Sequence, residues 1–176
     1  MNFTPFPELN TERLILRQIV YSDREEVFFL RSDENVNLYI DRPRPKNLED
    51  ADEFISMLNR EITENTWIDW GITLKIEPKL LGSICLWNFS DDKTRAEIGY
   101  ELNPEYQGQG IMNEALEKVM DFGFQSLGLN EIDAYTHKEN LSSTKLLLKN
   151  GFIRDSERFD KENADNIFFT KARTQL

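Results

Sequence analysis

In the middle of the sequence a long amphipathic segment lies between two strand-like ones. Ile111, Met112, Ala115, Leu116, Val119, Met120, Phe124 and Leu127 share one face at helical spacing. Arg95 to Leu102 before it and Leu129 to Thr136 after it have the length and apolar content of strands. A helix that joins two such strands predicts a parallel crossover, and therefore a sheet that cannot be purely antiparallel.

The remaining elements surround that unit. Arg13 to Val20 alternates imperfectly, as a strand near a sheet edge does. Asp23 to Arg31 and Leu48 to Ile62 read as helices, the second with Leu48, Ala51, Phe54, Ile55, Leu58 and Ile62 in one apolar stripe. Between them Arg42-Pro43-Arg44-Pro45 is too proline-rich to continue a helix. Trp67 to Ile76, Leu80 to Trp87 and Arg95 to Leu102, linked at Glu77-Pro78 and at Ser90 to Lys93, predict an antiparallel meander. Leu141 to Lys149 reads as a short helix stopped at Asn150-Gly151, and Phe152 to Phe159 with Asn166 to Arg173 as a last hairpin. The expectation is an α/β (α+β) fold: one domain over residues 1–176, seven mostly antiparallel strands and about four helices.

A chain of 176 residues with 39% hydrophobic side chains is large enough for one continuous core. Its net charge of −11 argues against nucleic acid as a partner. Residues 137–176, with 8 basic and 6 acidic side chains, are the only third with a positive balance and the favoured place for an anionic ligand. The single cysteine, Cys85, excludes an intrachain disulfide and reads as a small buried hydrophobe. The N-terminus lacks the pattern of a signal peptide, and no apolar run reaches membrane-spanning length, so a soluble cytoplasmic protein without a membrane partner is expected. Homo-oligomerisation is left open.

The sharpest local feature runs from Tyr100 to Asn113, YELNPEYQGQGIMN. A strand ends, two glycines bend the chain, and a helix starts with unpaired backbone N–H groups, which is the physical recipe for holding a phosphate. The two common nucleotide motifs do not fit, because the Walker lysine is absent and Asn113 stands where a dinucleotide fingerprint has its third glycine. An ordinary strand-to-helix turn is the alternative.

With its surroundings, this segment resembles the GNAT acetyltransferase superfamily, whose signature is Gln/Arg-x-x-Gly-x-Gly/Ala. Gln107, Gly108, Gln109, Gly110 and Ile111 follow it, and Met112 departs in the last place. Thr11 to Arg17, Ala96 to Tyr100, and Asn140-x-x-Ser143 followed by Asn150-Gly151-Phe152 resemble the ribosomal-protein N-terminal acetyltransferase branch. The resemblance implies acetyl-CoA as donor, its pyrophosphate held by backbone N–H groups of Gln109 to Met112, with Asn113 adding a side-chain contact. It implies that the family's fourth and fifth strands splay, so that the pantetheine arm pairs with backbone around Ile98, Tyr100 and Leu102. It also implies a contact from Asn140 to the pantetheine. Many members carry a tyrosine four residues before the Gly-Phe pair to protonate the departing thiolate; here that residue is Leu147, which leaves Ser143 as the candidate.

Acetyl transfer requires an ammonium to lose a proton and a thiolate to be stabilised as it leaves. Glu97, on the strand beside the expected thioester, is the candidate base, its alternative being an exposed strand glutamate. Ser143 is the candidate partner of the sulfur, its alternative a hydroxyl in the first turn of a helix. Gly99, in mid-strand, suits a bulge or a close approach. His137 reads as a surface histidine, and Trp67 and Trp70 either line an acceptor groove or belong to the core. No His/Cys cluster suggests a metal. The expected activity is transfer of acetyl to a primary amine, foremost a protein N-terminus such as that of a ribosomal protein. A polyamine or aminoglycoside-like acceptor and a non-catalytic acyl-CoA sensor are the alternatives.

Overall fold

The computed structural model describes residues 1–161 and 163–174. Its strands are β1 (Leu9–Asn10), β2 (Leu14–Gln18), β3 (Ile68–Leu74), β4 (Glu77–Trp87), β5 (Arg95–Leu102), β6 (Glu131–His137), β7 (Ile153–Asp155) and β8 (Asn166–Ala172). They form one sheet in the order β1-β2-β3-β4-β5-β6-β8-β7, in which only β5 and β6 run parallel. This is the mixed sheet that the mid-chain helix requires. The strand not foreseen, β1, is two residues long and pairs Leu9 with Leu16, too short to leave a periodic trace.

The helices are α1 (Arg24–Ser32), α2 (Leu48–Glu64), α3 (Ile111–Asp121) and α4 (Leu141–Lys149). α3 runs on through a π-helical turn at Phe122–Ser126. The apolar stripe of α3 packs with Trp70, Ile72, Ile84, Leu86 and Leu147 in one core. α1 and α2 pack Val27, Leu30, Ala51, Ile55 and Leu58 with Ile19 and Leu80 in a second. Alternation along β3 separates the two: Trp70 belongs to the first core, whereas a Cβ on Gly71 would lie 2.6 Å from Leu80 and 3.1 Å from Ile19. Among the described residues no helix is long and apolar enough to cross a membrane.

Two boundaries differ from expectation. The β3–β4 turn falls at Lys75-Ile76, closed by the Leu74–Glu77 pair, so Pro78 lies inside β4. The ladder is irregular between Ile72 and Leu74, and that break lets a residue without an N–H enter the strand. The strand foreseen from Phe152 to Phe159 ends at Asp155, whose carboxylate accepts from the N–H groups of Glu157 and Arg158 and turns the chain away.

The feature that positions the site is the incomplete β5–β6 ladder. Pairing runs from Arg95–Glu131 to Glu97–Asp133 and stops. Past that point β5 stays with β4 to Leu102, while β6 stays with β8 to His137. Each strand keeps its antiparallel partner, and the twist of the sheet opens a cleft between them.

Candidate active site

The helix start that follows β5 leaves its N–H groups free to hold an anion. Gly108 and Gly110 have φ of +71° and +76°, a left-handed conformation open to glycine at little cost. Gly110 is the N-cap of α3, and no side chain caps it. By contrast, α2 and α4 are capped by Asn47 and Asn140, whose side chains accept from the N–H groups of Asp50 and Ser143. The first N–H groups of α3 are thus left for a ligand, and the residues fit a pyrophosphate. Gln107 and Gln109 hold the turn, donating to the carbonyls of Leu102 (3.1 Å) and Glu105 (2.9 Å). Arg13 donates to the Gln109 carbonyl and binds Glu114 of α3, anchoring the helix to β2.

Ile111 is buried and Met112 packs against the core, so the departure from the signature is absorbed by apolar contact. The amide of Asn113 is engaged at both ends, accepting from Asn150 at 3.1 Å and donating to Glu117 at 2.9 Å. The group it offers a ligand is therefore its backbone N–H. The Asn140 oxygen is likewise occupied by the Ser143 N–H.

Alternation along β5 sends its side chains to opposite faces. Ile98, Tyr100 and Leu102 face the α3 core, and beyond Glu97 their backbone has no ladder partner on the β6 side. Gly99 pairs with Cys85 in regular register, so it makes no bulge; it is a close approach, since a Cβ there would lie 3.2 Å from the Cys85 sulfur. Cys85 itself is buried, and burial pushes its thiol up.

A contact that sequence reasoning missed joins the two sides of the cleft: the Tyr100 hydroxyl lies 2.8 Å from the Ser143 hydroxyl. Burial pushes the Tyr100 phenol up to about 12, so it stays protonated and able to donate. Leu147, where the signature suggests a tyrosine, is fully buried in the core. The phenol that meets Ser143 is on the facing strand, at Tyr100. Only the parity of Tyr100 on β5, shared with Ile98 and Leu102, could have signalled it.

On the opposite face lie Glu97, Glu101, Asp69 and Asp133. Glu97 is half-buried, accepts from Asn88 at 2.9 Å, and is raised above the usual carboxylate range by burial. Glu101 is ion-paired with Arg42. Asp69 is buried with one oxygen lacking a partner, and burial, reinforced by Glu101, pushes its carboxyl up to about 7. Burial with Arg42 nearby lowers Arg31 to about 10.

The α1–α2 connection crosses this side of the cleft. Arg42 fixes it to β5, and Tyr39 fixes it to β6 by stacking on His137 with ring centroids 5.3 Å apart. His137, at the end of β6, is partly covered by this stacking. Of the two tryptophans, Trp70 is wholly buried core, while Trp67 is partly exposed and meets Trp87 at 5.6 Å.

Known proteins share this arrangement. The family model described as acetyltransferase (GNAT) domain matches residues 13–153. The uncharacterised N-acetyltransferase YoaA of Bacillus subtilis is 37% identical over 150 residues, 85% of each chain. The ribosomal-protein-serine acetyltransferase of Escherichia coli is 35% identical over 77 residues, 44% of this chain and 43% of that one. In fold, the structure resembles RimL, a ribosomal L7/L12 α-N-protein acetyltransferase solved with coenzyme A, with a TM-score of 0.81, 16% identity and coverage of 94% of this chain and 98% of that one. An uncapped helix start at the end of a strand that splays from its parallel neighbour, and a match running through both, make the chain a member of the GNAT acetyltransferase family.

Proposed function

We propose that the whole chain forms one domain that transfers acetyl from acetyl-CoA to a primary amine, foremost the N-terminal α-amine of a protein. The observation that carries this is the succession of two surfaces: the unpaired edge of β5 beyond Glu97 leads, through the turn at 103–110, to the uncapped N–H groups of α3. The first suits an extended pantetheine arm added like a strand, the second its pyrophosphate. The thioester would then lie near the apex of the cleft, between Glu97 on one face and the Tyr100–Ser143 pair on the other.

In this reading Glu97 takes the proton from the acceptor ammonium, and the freed nitrogen pair attacks the thioester carbonyl. The attacking nitrogen gives its second proton to solvent, and as the carbon–sulfur bond breaks Ser143 gives its proton to the sulfur and receives one from Tyr100, which is restored from solvent. The net charge of −11 favours a cationic acceptor, and the names of the RimL and Escherichia coli relatives support a protein N-terminus.

The test follows free coenzyme A thiol during incubation with acetyl-CoA and one acceptor at a time: N-terminal peptides, spermidine or an aminoglycoside. Continuous thiol release with the peptides is expected. Release only with a small amine would reassign the acceptor, and binding of acetyl-CoA without release from any amine would make the protein a sensor.

A further inference from the structure

At the apex of the cleft, Glu97 and Asp133 are register partners, the last pair of the parallel ladder. Adjacent strands lie about 4.8 Å apart, so the two carboxylates stand side by side on the face away from α3. Asp133 is 3% exposed at its side chain, with Arg158 2.7 Å from its Oδ2 and Arg95 3.9 Å away. Its other oxygen, Oδ1, is buried with no hydrogen-bond partner among the described residues. A buried carboxylate oxygen left unpaired costs stability and is kept where it serves another purpose. Both carboxylates line a cavity of about 430 Å³, walled also by Asn88, Phe89, Asp91 and Arg158.

We propose that Asp133 is a positioning residue for acetyl transfer: its buried carboxylate acts on Glu97 so that Glu97 holds the acceptor's primary ammonium in this cavity and takes its proton. This rests on the reading of Glu97 as the base. One N–H bond of the ammonium breaks, the proton passes to the Glu97 carboxylate, and the electron pair stays on nitrogen for attack. A carboxylate next to a second negative charge holds a proton more firmly, which makes it a stronger base toward an ammonium.

The charged and polar groups around Glu97 act in known directions. Burial raises it, Asn88 from the β4–β5 turn lowers it, Asp133 from β6 raises it, and from the β7–β8 connection Arg158 lowers it and Asp160 raises it. Tyr135 of β6 also faces it, its own phenol raised by burial and by the Glu97 charge. Arg158 is held in place by stacking on Phe168 at 4.8 Å and by its bond to Asp133.

Two substitutions should move Glu97 in opposite directions. Asp133→Asn removes the raising charge, so the acid limb of kcat/KM should move down by about one pH unit. Arg158→Gln, at a more exposed position, removes a lowering charge and should move that limb up. Carboxyl-carbon NMR titration of Glu97 in the three proteins, without acceptor, should show the same order. A purely structural role would lower activity by one factor at every pH and leave the Glu97 midpoint in place; that result, or a shift of both variants in the same direction, overturns the proposal. A wild-type protein that acetylates no amine would instead remove the proposed function, and this inference with it, whatever the titration shows.

Discussion

In the proposed reaction, Ser143 and Tyr100 divide one task between a helix and a strand. Ser143 sits in the first turn of α4 with its N–H held by Asn140, so its hydroxyl is free to face Tyr100 across the cleft. Stabilising a departing thiolate matters mainly in the transition state. Ser143→Ala should therefore lower kcat about ten- to a hundredfold while calorimetry finds little change in acetyl-CoA affinity. Tyr100→Phe should also lower kcat, yet add little in the Ser143→Ala background, because it acts through the serine. Fully additive losses would separate the two residues. For Glu97, the isosteric Glu97→Gln cannot take a proton. Its kcat/KM should fall at neutral pH and recover in part at high pH, where the acceptor is already deprotonated; a constant loss across pH would reduce Glu97 to an attractor of cations.

Among the elements, α2 and α3 begin in opposite ways. α2 begins with an asparagine cap, and Asn47→Ala should cost about 1 kcal/mol, readable as a lowered midpoint of chemical unfolding. α3 begins with Gly110 at φ +76° and no side-chain cap, so its orphan N–H groups are left to a ligand, which the proposed function takes to be the pyrophosphate. A β-branched residue is strained in that conformation even though the nearest atom to its Cβ, on Arg13, would be 3.5 Å away. Gly110→Val should thus abolish acetyl-CoA binding by turning the N–H groups aside, with the fold retained through the Arg13–Glu114 anchor. Calorimetry showing wild-type affinity in that variant would move the pyrophosphate elsewhere.

At the level of the whole molecule, the α1–α2 layer is joined to the sheet over Asp69, with Arg31, Arg42 and Glu101 as its charged neighbours. An unfolded aspartate titrates at about 4, whereas burial holds Asp69 up at about 7. Between those values the folded protein binds the proton and the unfolded chain does not, so this contribution to stability is complete below the lower value and is lost as pH rises through the upper one. Asp69→Asn removes the titration. Its advantage in unfolding free energy over the wild type should grow between about pH 4 and 7, by up to about 4 kcal/mol at about 1.4 kcal/mol per pH unit. A pH-independent difference would show that Asp69 ionises freely.

Local pattern determined a good deal of this protein. The spacing of apolar residues in α3 and the strands flanking it made the parallel crossover unavoidable, and the glycines at 108 and 110 marked the left-handed turn that leads into α3, because such features depend on neighbours in the chain. The pairing of β5 with β6 only as far as Glu97 depended on competition among four strands, which no single segment records. The same holds for the side chains that meet across the cleft. Tyr100 with Ser143, Arg42 with Glu101, Tyr39 with His137 and Glu97 with Asp133 each join residues distant in sequence, brought together by sheet register and by the face each occupies. A residue's chemical type is written in the sequence, but its partner, its burial and therefore its proton affinity are set by packing, and only the tertiary structure decided them.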